Sequence, residues 1–243
     1  MKKPNVKISI RTKIETVDWK YGSQLLESLC LVEGSLTPEL VSHNPDKVKE
    51  PFEGGAQAEG LWAEKGSMRV NGSLYDFFYD FAWKRTKSIK SSGYVVHTKR
   101  NVRNQVVPGD VHLNSAYSDK IDWYNLFKVW CEIFPPQLGM LHYFTAPELQ
   151  PNMVNDSFQI GSFNAALKPD VPNAGWAMFY GNEFAESVDA DRITNAGFPI
   201  EKIGDGYLVR VTENIQDIVT DFRMFAHRRT ELKSLFPEGF FLN

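Results

Sequence analysis

The sequence predicts an α+β fold, with a mixed or mainly antiparallel sheet and helices packed on one side. Three observations support this prediction. Stretches of alternating apolar residues are interleaved with stretches of helical periodicity, several strand-like stretches are neighbours joined by turn signals, and regular β-α-β units are too few for a doubly wound sheet. The chain has 243 residues, 42% of them hydrophobic and 23% charged. This composition is ordinary for a globular protein, and we expect one domain over residues 1–243.

The first two elements follow from periodicity. The stretch 5–15, NVKISIRTKIE, alternates with period two and predicts a half-buried strand. Its apolar side is formed by Val6, Ile8, Ile10, Thr12 and Ile14. The next stretch, SQLLESLCLVEG, predicts a helix that Gly34 ends. Its apolar face comprises Leu25, Leu26, Leu29 and Val32.

The segment from about 35 to 66 predicts irregular structure. It contains three prolines and several glycines and has little periodicity. A long loop of this kind inside a compact domain is usually functional or mobile. The stretch 75–86, YDFFYDFAWKRT, fits a helix and a strand equally well.

The middle of the chain predicts two strands, a helix and a third strand. The strands are GYVVHTKRNV and QVVPGDVHLN, with Pro108-Gly109 as a turn. The basic stretch HTKRNVRNQ within them is typical of a solvated strand or hairpin. The helix is SDKIDWYNLFKVWCEIF, with Ser118 or Asp119 as its cap and Asp122 in its first turn. Pro135 and Pro136 end it, and LGMLHYF follows as a strand.

The C-terminal part predicts four further elements. GWAMFYGNEF is a strand, DADRITNAG is a short helix ending at Gly197, and GYLVRVT is a strand preceded by a GDG turn. The last helix is expected to start at Asn214, with Asp217 completing a capping box. Its apolar period of 3.6 continues to Leu235.

Charge and hydropathy exclude several classes of protein. The formal net charge is −3, and Lys and Arg are not clustered as phosphate neutralisation requires, so we expect no direct nucleic-acid binding. No run of about 18 apolar residues predicts a membrane span. No apolar segment follows the N-terminal lysines, so we expect no secretory signal and a cytoplasmic location. Cys30 and Cys131 lie in apolar helical patterns and are expected to be buried free thiols, although spacing leaves a disulfide open.

The sequence contains no recognisable catalytic or metal-binding motif. None of the five histidines has a second His or Cys three or four residues away, so we predict no metal. Neither a G-x-S-x-G elbow nor a glycine-rich phosphate loop is present, so we predict no cofactor. Cys131 lies mid-helix among apolar residues, which silences a thiol. We therefore predict no catalytic residue and a protein that is not an enzyme.

One group of carboxylates stands out in the stretch NEFAESVDADR. It consists of Glu183, Glu186, Asp189 and Asp191. Two such acids can act as acid and base when burial separates their pKa values. They can equally form an acidic binding patch, or a solvated helix start where the helix dipole favours acids. The residues alone leave these three interpretations open.

The C-terminal half resembles a known family. Between about Asp119 and Pro237 the chain resembles polymorphic-toxin immunity protein family 52 and its relatives among type VI secretion immunity proteins. The features that carry the resemblance are a Pro-x-x-Gly-Trp turn and strand, a glycine after that strand, a glycine at the next strand start and a terminal Leu-Phe-Pro. They correspond to Pro172, Gly175, Trp176, Gly181, Gly206 and Pro237. The N-terminal half matches the family only in outline.

The resemblance implies a non-enzymatic inhibitor that binds and neutralises a cognate toxin, here a nuclease effector of the type VI secretion system. A nuclease groove is usually basic, so acidic groups would steer the inhibitor to it and cover it. The expected toxin-binding residues are Glu183, Glu186, Asp189, Asp191, Asp46, Glu50, Glu53 and Glu59. Inhibition by occlusion and inhibition by an allosteric route both stay open, as does the oligomeric state.

Two alternatives compete with this interpretation. The first is an enzyme of unrecognised class that uses the acids near Glu183 or a convergent histidine, which predicts a deep pocket with shifted pKa values. The second is a structural or adaptor protein, which predicts self-assembly without a toxin partner.

Overall fold

The computed structural model describes residues 4–31, 36–70, 72–101, 103–149, 158–160 and 162–242. The strands within these ranges are β1 (Asn5–Thr12), β2 (Leu40–Ser42), β3 (Glu50–Pro51), β4 (Lys65–Val70), β5 (Ser73–Phe78), β6 (Phe81–Arg85), β7 (Ser91–Val96), β8 (Lys99–Arg100), β9 (Val106–Val107), β10 (Gly109–Ser115), β11 (Pro136–Phe144), β12 (Ala177–Tyr180), β13 (Ile200–Ile203) and β14 (Gly206–Arg210). The α-helices are α1 (Trp19–Leu31), α2 (Gly55–Leu61), α3 (Trp123–Ile133), α4 (Phe163–Leu167), α5 (Ala190–Asn195), α6 (Asp217–Thr220) and α7 (Phe222–Lys233), with 3-10 turns at Pro147–Leu149 and Asn182–Ser187.

Ten of these strands form one large sheet. Their order is β13-β14-β12-β11-β1-β10-β7-β6-β2-β3, and every ladder between them is antiparallel. The pairs β4–β5 and β8–β9 form separate two-stranded hairpins. The predicted α+β class is confirmed. Within the described ranges, no helix combines the length and the apolar character needed to cross a lipid bilayer.

The first strand lies near the centre of the sheet, between β10 and β11. Its predicted apolar side is buried, with Ile8 and Ile10 fully inaccessible. The other side is also buried, because Ser9 has no exposed surface and Arg11 is 3% exposed. The expectation of a half-buried strand is therefore wrong. A central strand can bury polar side chains when neighbouring strands supply partners for them.

One face of the sheet, which we call the helix face, is covered by α1, α2 and α3. Strand register places Ile8, Leu113, Trp83 and Leu141 on this face. The Trp130 indole of α3 lies edge-on to Trp83 and donates a hydrogen bond to Ser28 Oγ of α1 at 2.8 Å. Aromatic burial of this kind dominates the energetics of a core.

On the opposite face, which we call the second face, the described residues outside the sheet cover only a part. The Phe225 ring of α7 packs 6.0 Å from the His142 ring of β11, and Phe236 and Phe240 pack against Tyr180 of β12. The expectation of helices on one side therefore holds for α1, α2 and α3. The last helix covers the β11–β12 part of the second face.

The segment 35–66 is more ordered than predicted. It contains β2 and β3, which extend the sheet by pairing next to β6, and the two-turn helix α2. These elements are too short to show a period, so proline and glycine dominate the sequence signal. The ambiguous stretch 75–86 forms parts of two strands, β5 and β6, and β13 is a strand that the sequence did not predict.

Two helix starts and one cysteine differ from expectation. Asp122, and neither Ser118 nor Asp119, caps α3 by accepting a hydrogen bond from the Asn125 amide at 2.9 Å. The predicted last helix is two helices, broken at Asp221, and Asn214 does not cap either of them. The buried residues Ile218, Phe225 and Leu232 keep their phase across the break, so periodicity cannot reveal it. Both cysteines are free, as expected, but only Cys131 is buried. The Cys30 side chain lies on the exposed side of α1, so the expectation of a buried thiol there is wrong.

Val32 and Gly34, which the sequence placed at the end of the first helix, lie outside the described residues.

Candidate partner-binding site

The acidic stretch 183–191 follows the end of β12 and forms a 3-10 turn and the start of α5. Gly181 leaves the strand, and its amide bonds to the Gln137 carbonyl at 3.0 Å. Asn182 then adopts φ 46°, a left-handed conformation that asparagine tolerates better than most residues. Phe184 is buried and anchors the turn, so the carboxylates around it project from a fixed segment.

Glu183 is an ion-paired and hydrogen-bonded carboxylate. Its Oε2 lies 2.8 Å from Lys13 Nζ, and its Oε1 accepts from Gln137 Nε2 at 2.7 Å. Burial alone would raise its pKa, but the hydrogen bonds from Lys13 and Gln137 outweigh burial and hold the pKa below its ordinary value. A carboxylate kept ionised in this way is poorly suited to act as a general acid.

The other three acids of the stretch are all exposed, and one of them also caps a helix. Asp189 is the N-cap of α5 and accepts a hydrogen bond from the Arg192 amide at 3.0 Å. Glu186 and Asp191 are exposed. Glu183 and Asp189 therefore have hydrogen-bond partners within the chain, and Glu186 and Asp191 have exposed side chains.

A recess of about 360 Å³ lies beside the start of this segment. It is bounded by the C-terminal end of α3, by the β13–β14 turn and by Gly181 and Asn182. Two exposed carboxylates, Glu132 and Asp205, line it. Sequence reasoning missed both. Asp205 belongs to the predicted GDG turn, and Glu132 lies off the apolar stripe of α3, but nothing local shows that they meet.

Two of the three glycines of the resemblance, Gly181 and Gly206, line this recess. A Cβ atom on Gly181 would lie 2.1 Å from the Pro136 carbonyl oxygen, and one on Gly206 would lie 2.4 Å from the Phe179 ring. Both distances are far inside van der Waals contact. Glycine at these positions therefore lets β12 and β14 approach their neighbours closely.

The Pro-x-x-Gly-Trp turn is tied to a buried polar group. The Trp176 amide donates to His142 Nδ1 at 2.9 Å, so His142 Nε2 carries the hydrogen that it donates to Glu148 at 2.8 Å. Arg229 of α7 completes the group, 2.7 Å from the other Glu148 oxygen. Burial alone would raise the pKa of Glu148, but His142 and Arg229 outweigh burial and lower it.

The remaining motif residues are structural. Pro172 is buried, and a Cβ atom on Gly175 would lie 2.5 Å from Met140 Cγ. The Trp176 indole donates to Thr212 Oγ1 at 3.1 Å. Pro237 is exposed, and its carbonyl accepts from the Phe240 amide at 3.1 Å.

The second expected acidic group lies elsewhere. Its members Asp46, Glu50, Glu53 and Glu59 are all exposed. They surround β3, the tenth strand in the sheet order, whereas β12 is the third. Seven strand spacings of about 4.8 Å put the two groups roughly 30 Å apart along the sheet. The structure therefore does not bring the two predicted groups into one patch.

Two arrangements bear on the enzyme alternative. Ser9 Oγ lies 2.7 Å from His112 Nδ1, as in a nucleophile–base pair, but Ser9 has no exposed surface that a substrate could reach. Burial raises the pKa of the Cys131 thiol, as its apolar surroundings predict. Among the described residues, no group of three or more His, Cys, Asp or Glu side chains could hold a metal ion.

No protein-family model matches this chain, and no curated protein matches it either.

Proposed function

We propose that this protein is a non-enzymatic immunity protein. It binds and neutralises a cognate secreted toxin, a nuclease effector of the type VI secretion system, in the cytoplasm. The observation that carries the proposal is the recess beside Gly181, with exposed carboxylates at its edge and on the adjoining segment. These carboxylates are Glu132, Asp205, Glu186 and Asp191. Two of the three glycines that carry the family resemblance, Gly181 and Gly206, line the same recess.

The geometry suits binding of a basic protein surface. A recess of about 360 Å³ can receive one large side chain of a partner, and such filled pockets supply most of the energy of an interface. Exposed carboxylates around the recess would attract the basic groove of a nuclease and so increase the rate at which the two proteins associate. The exposed Arg192 in the same region donates to the Leu235 carbonyl at 3.3 Å.

The test of the function is co-expression with the product of each neighbouring gene. We expect one of those products to arrest growth when expressed alone, and this protein to restore growth and to elute in a complex with it. If every neighbouring product is harmless and none co-elutes, the proposal is wrong.

The test of the site is a pair of charge-reversal variants. The triple variant Glu132→Lys, Glu186→Lys, Asp205→Lys removes the two carboxylates that line the recess and one on the adjoining segment. Its control, Glu50→Lys, Glu53→Lys, Glu59→Lys, makes the same charge change at the far edge of the sheet. We expect the first variant to bind the toxin roughly tenfold more weakly, mainly through slower association and with less dependence on salt.

The control variant should bind the toxin like the wild type. Equal losses in both variants would show that only net charge matters. Unchanged binding in the first variant would show that the recess is not part of the interface. It would not contradict the proposed neutralisation of a toxin.

A further inference from the structure

A groove of about 490 Å³ lies between α1 and α3, two of the helices that cover the helix face. The Tyr21 ring lies 5.9 Å from the Phe134 ring, and the Trp130 indole donates to Ser28 Oγ at 2.8 Å. The contacts therefore run along the two helices in opposite directions, so α1 and α3 are antiparallel. The apolar side chains that line the groove are Leu31, Leu126, Val129 and Ile133.

Leu31 is the last residue of α1 and lies at one end of this groove. It is 82% exposed, the highest fraction among the large apolar side chains in the described part of the chain. A single exposed apolar side chain is normal on a protein surface. Here, however, a projecting leucine and an apolar groove lie side by side on one surface.

This combination makes the surface complementary to itself. A two-fold symmetric interface joins the same patch on both copies, so that patch must contain both a projecting group and a place that receives it. When a groove binds a helix of a different protein, the apolar anchors come from that protein. In this groove one such anchor, Leu31, already belongs to the patch, which favours a second copy of the chain as the occupant.

The charges at the groove support the same occupant. Its lining includes the exposed side chains of Glu27 on α1 and of Lys120 and Asp122 at the start of α3. A patch that carries both signs can face its own copy with opposite charges adjacent, whereas charges of one sign would repel an identical patch.

We infer that this protein forms a weak two-fold symmetric dimer through the groove between α1 and α3, with Leu31 of each copy seated in the groove of the other. Helix α1 has 13 residues and is about 20 Å long, and two helices side by side are about 20 Å wide. A patch of this size gives an interface at the low end of the specific range, so we expect a dissociation constant on the order of 10 µM.

The dimer is separate from the proposed toxin site. The groove and the recess beside Gly181 share none of their described lining residues. The inference therefore does not depend on toxin binding, and each can fail without the other.

Sedimentation equilibrium of the intact protein, from about 1 µM to about 500 µM, tests the inference. We expect the average mass to rise with concentration from that of one chain toward that of two. Backbone amide NMR shifts that change on dilution should lie in α1 and α3. The mass of a single chain at every concentration would overturn the inference, as would dilution shifts confined to other elements.

Two variants locate the interface. Leu31→Glu would place a carboxylate in the groove of the other copy, and because burying an unpaired charge is costly, the dimer should weaken about tenfold or more. The control Val219→Glu makes the same kind of change at another exposed apolar residue, 57% exposed in α6. It should form the dimer like the wild type.

The two variants also give clear contrary outcomes. An unchanged dissociation constant in Leu31→Glu would overturn the inference. Equal weakening in both variants would also overturn it, because the self-association would then depend on overall charge and not on this groove. Both side chains are exposed, so both variants should fold normally, which circular dichroism checks.

Discussion

The two halves of the sheet share the helix face but differ on the second face. In the covered half, β11 to β14, the second-face side chains Met140, Met178 and Val209 are almost fully buried. In the open half, β10 to β3, the same row continues through the half-buried side chains His112 and Tyr94. The neighbouring row of the second face contains the exposed side chains Asn114, Ser92 and Lys84. The same strand geometry therefore produces a two-sided core in one half and a polar surface in the other.

This difference shows what burial on both sides requires. In the covered half, each buried polar or charged side chain must be paired, because an unpaired buried charge is costly. The group formed by His142, Glu148 and Arg229 is an example. Close approach of covered strands also demands glycine, as at Gly181 and Gly206. In the open half, water can satisfy the exposed polar side chains Asn114, Ser92 and Lys84.

The largest expected effect comes from breaking the buried polar group of the covered half. Glu148→Gln leaves Arg229, 12% exposed, without its charge partner. We expect a loss of about 3–5 kcal/mol in the free energy of unfolding at pH 7, as for other broken buried pairs. Urea unfolding followed by tryptophan fluorescence measures it.

The matched control is Glu231→Gln, which breaks the more exposed pair with Arg228 on the same helix. It should cost less than about 1 kcal/mol. If the two variants lose equal stability, Glu148 does not have the role assigned to it.

The second effect concerns close strand approach. Gly181→Ala places a methyl group against the Pro136 carbonyl, so the backbone must move to make room. We expect the free energy of unfolding to fall by about 2 kcal/mol or more. Gly60→Ala is the control, because Gly60 lies in α2 with open space around its Cβ position. It should be neutral or stabilise by about 0.5–1 kcal/mol through helix propensity. Differential scanning calorimetry compares them, and equal melting temperatures would contradict the predicted contact.

The third effect is a difference between the two halves in how their carboxyl groups make the free energy of unfolding depend on pH. Burial raises the pKa of Asp110 in the open half to about 6, although Arg11 lies 3.2 Å away. The folded state then binds the proton more tightly than the unfolded state, so this group lowers stability as pH rises from about 4 to 6. Glu148 has the opposite sign, because its pKa is lowered: its contribution is present above the unfolded pKa and is lost as pH falls.

Asp110→Asn should therefore remove a decline in the free energy of unfolding on the order of 2 kcal/mol between pH 4 and pH 7. Urea titrations at each pH unit measure the slope. Asp205→Asn, at an exposed site, should keep the wild-type slope. An unchanged slope in Asp110→Asn would show that this carboxyl is not perturbed by folding.

The smallest effect separates structural from exposed acids in the predicted toxin-binding stretch. Asp189→Ala removes the cap of α5 and should cost about 1 kcal/mol. Asp191→Ala, in the first turn of the same helix, should lower the free energy of unfolding by only a few tenths of a kcal/mol, through loss of its interaction with the helix dipole. Thermal unfolding of both variants checks the order, and a larger loss for Asp191→Ala would contradict the observed cap.

Local patterns predicted much of the fold. The alternation in β1, the apolar stripe of α3, the short helix that ends at Gly197 and the GDG turn before β14 all appear where the sequence placed them. Each depends on residues within one or two turns of each other. The break at Asp221 and the strand β13 were missed because the first preserves the helical phase and the second, Ile-Glu-Lys-Ile, has no alternation.

The candidate site was less predictable. Glu183 was found as an acid, but its partners Lys13 and Gln137 lie 170 and 46 residues away in the chain. Glu132 and Asp205 meet at one recess only because α3 and the β13–β14 turn lie at the same end of the sheet. The separation of the two acidic groups follows from strand order, which no local pattern contains.

The sequence by itself determined the α+β class, the apolar faces of the main elements and the glycine-containing turns, because these depend on side-chain period and backbone conformation over short distances. Only the tertiary structure decided which half of the sheet is covered on both faces, which carboxylates are paired and where rows of polar side chains form. Those outcomes depend on strand order and on contacts between residues far apart in the chain, and they decide where a partner or a ligand can bind.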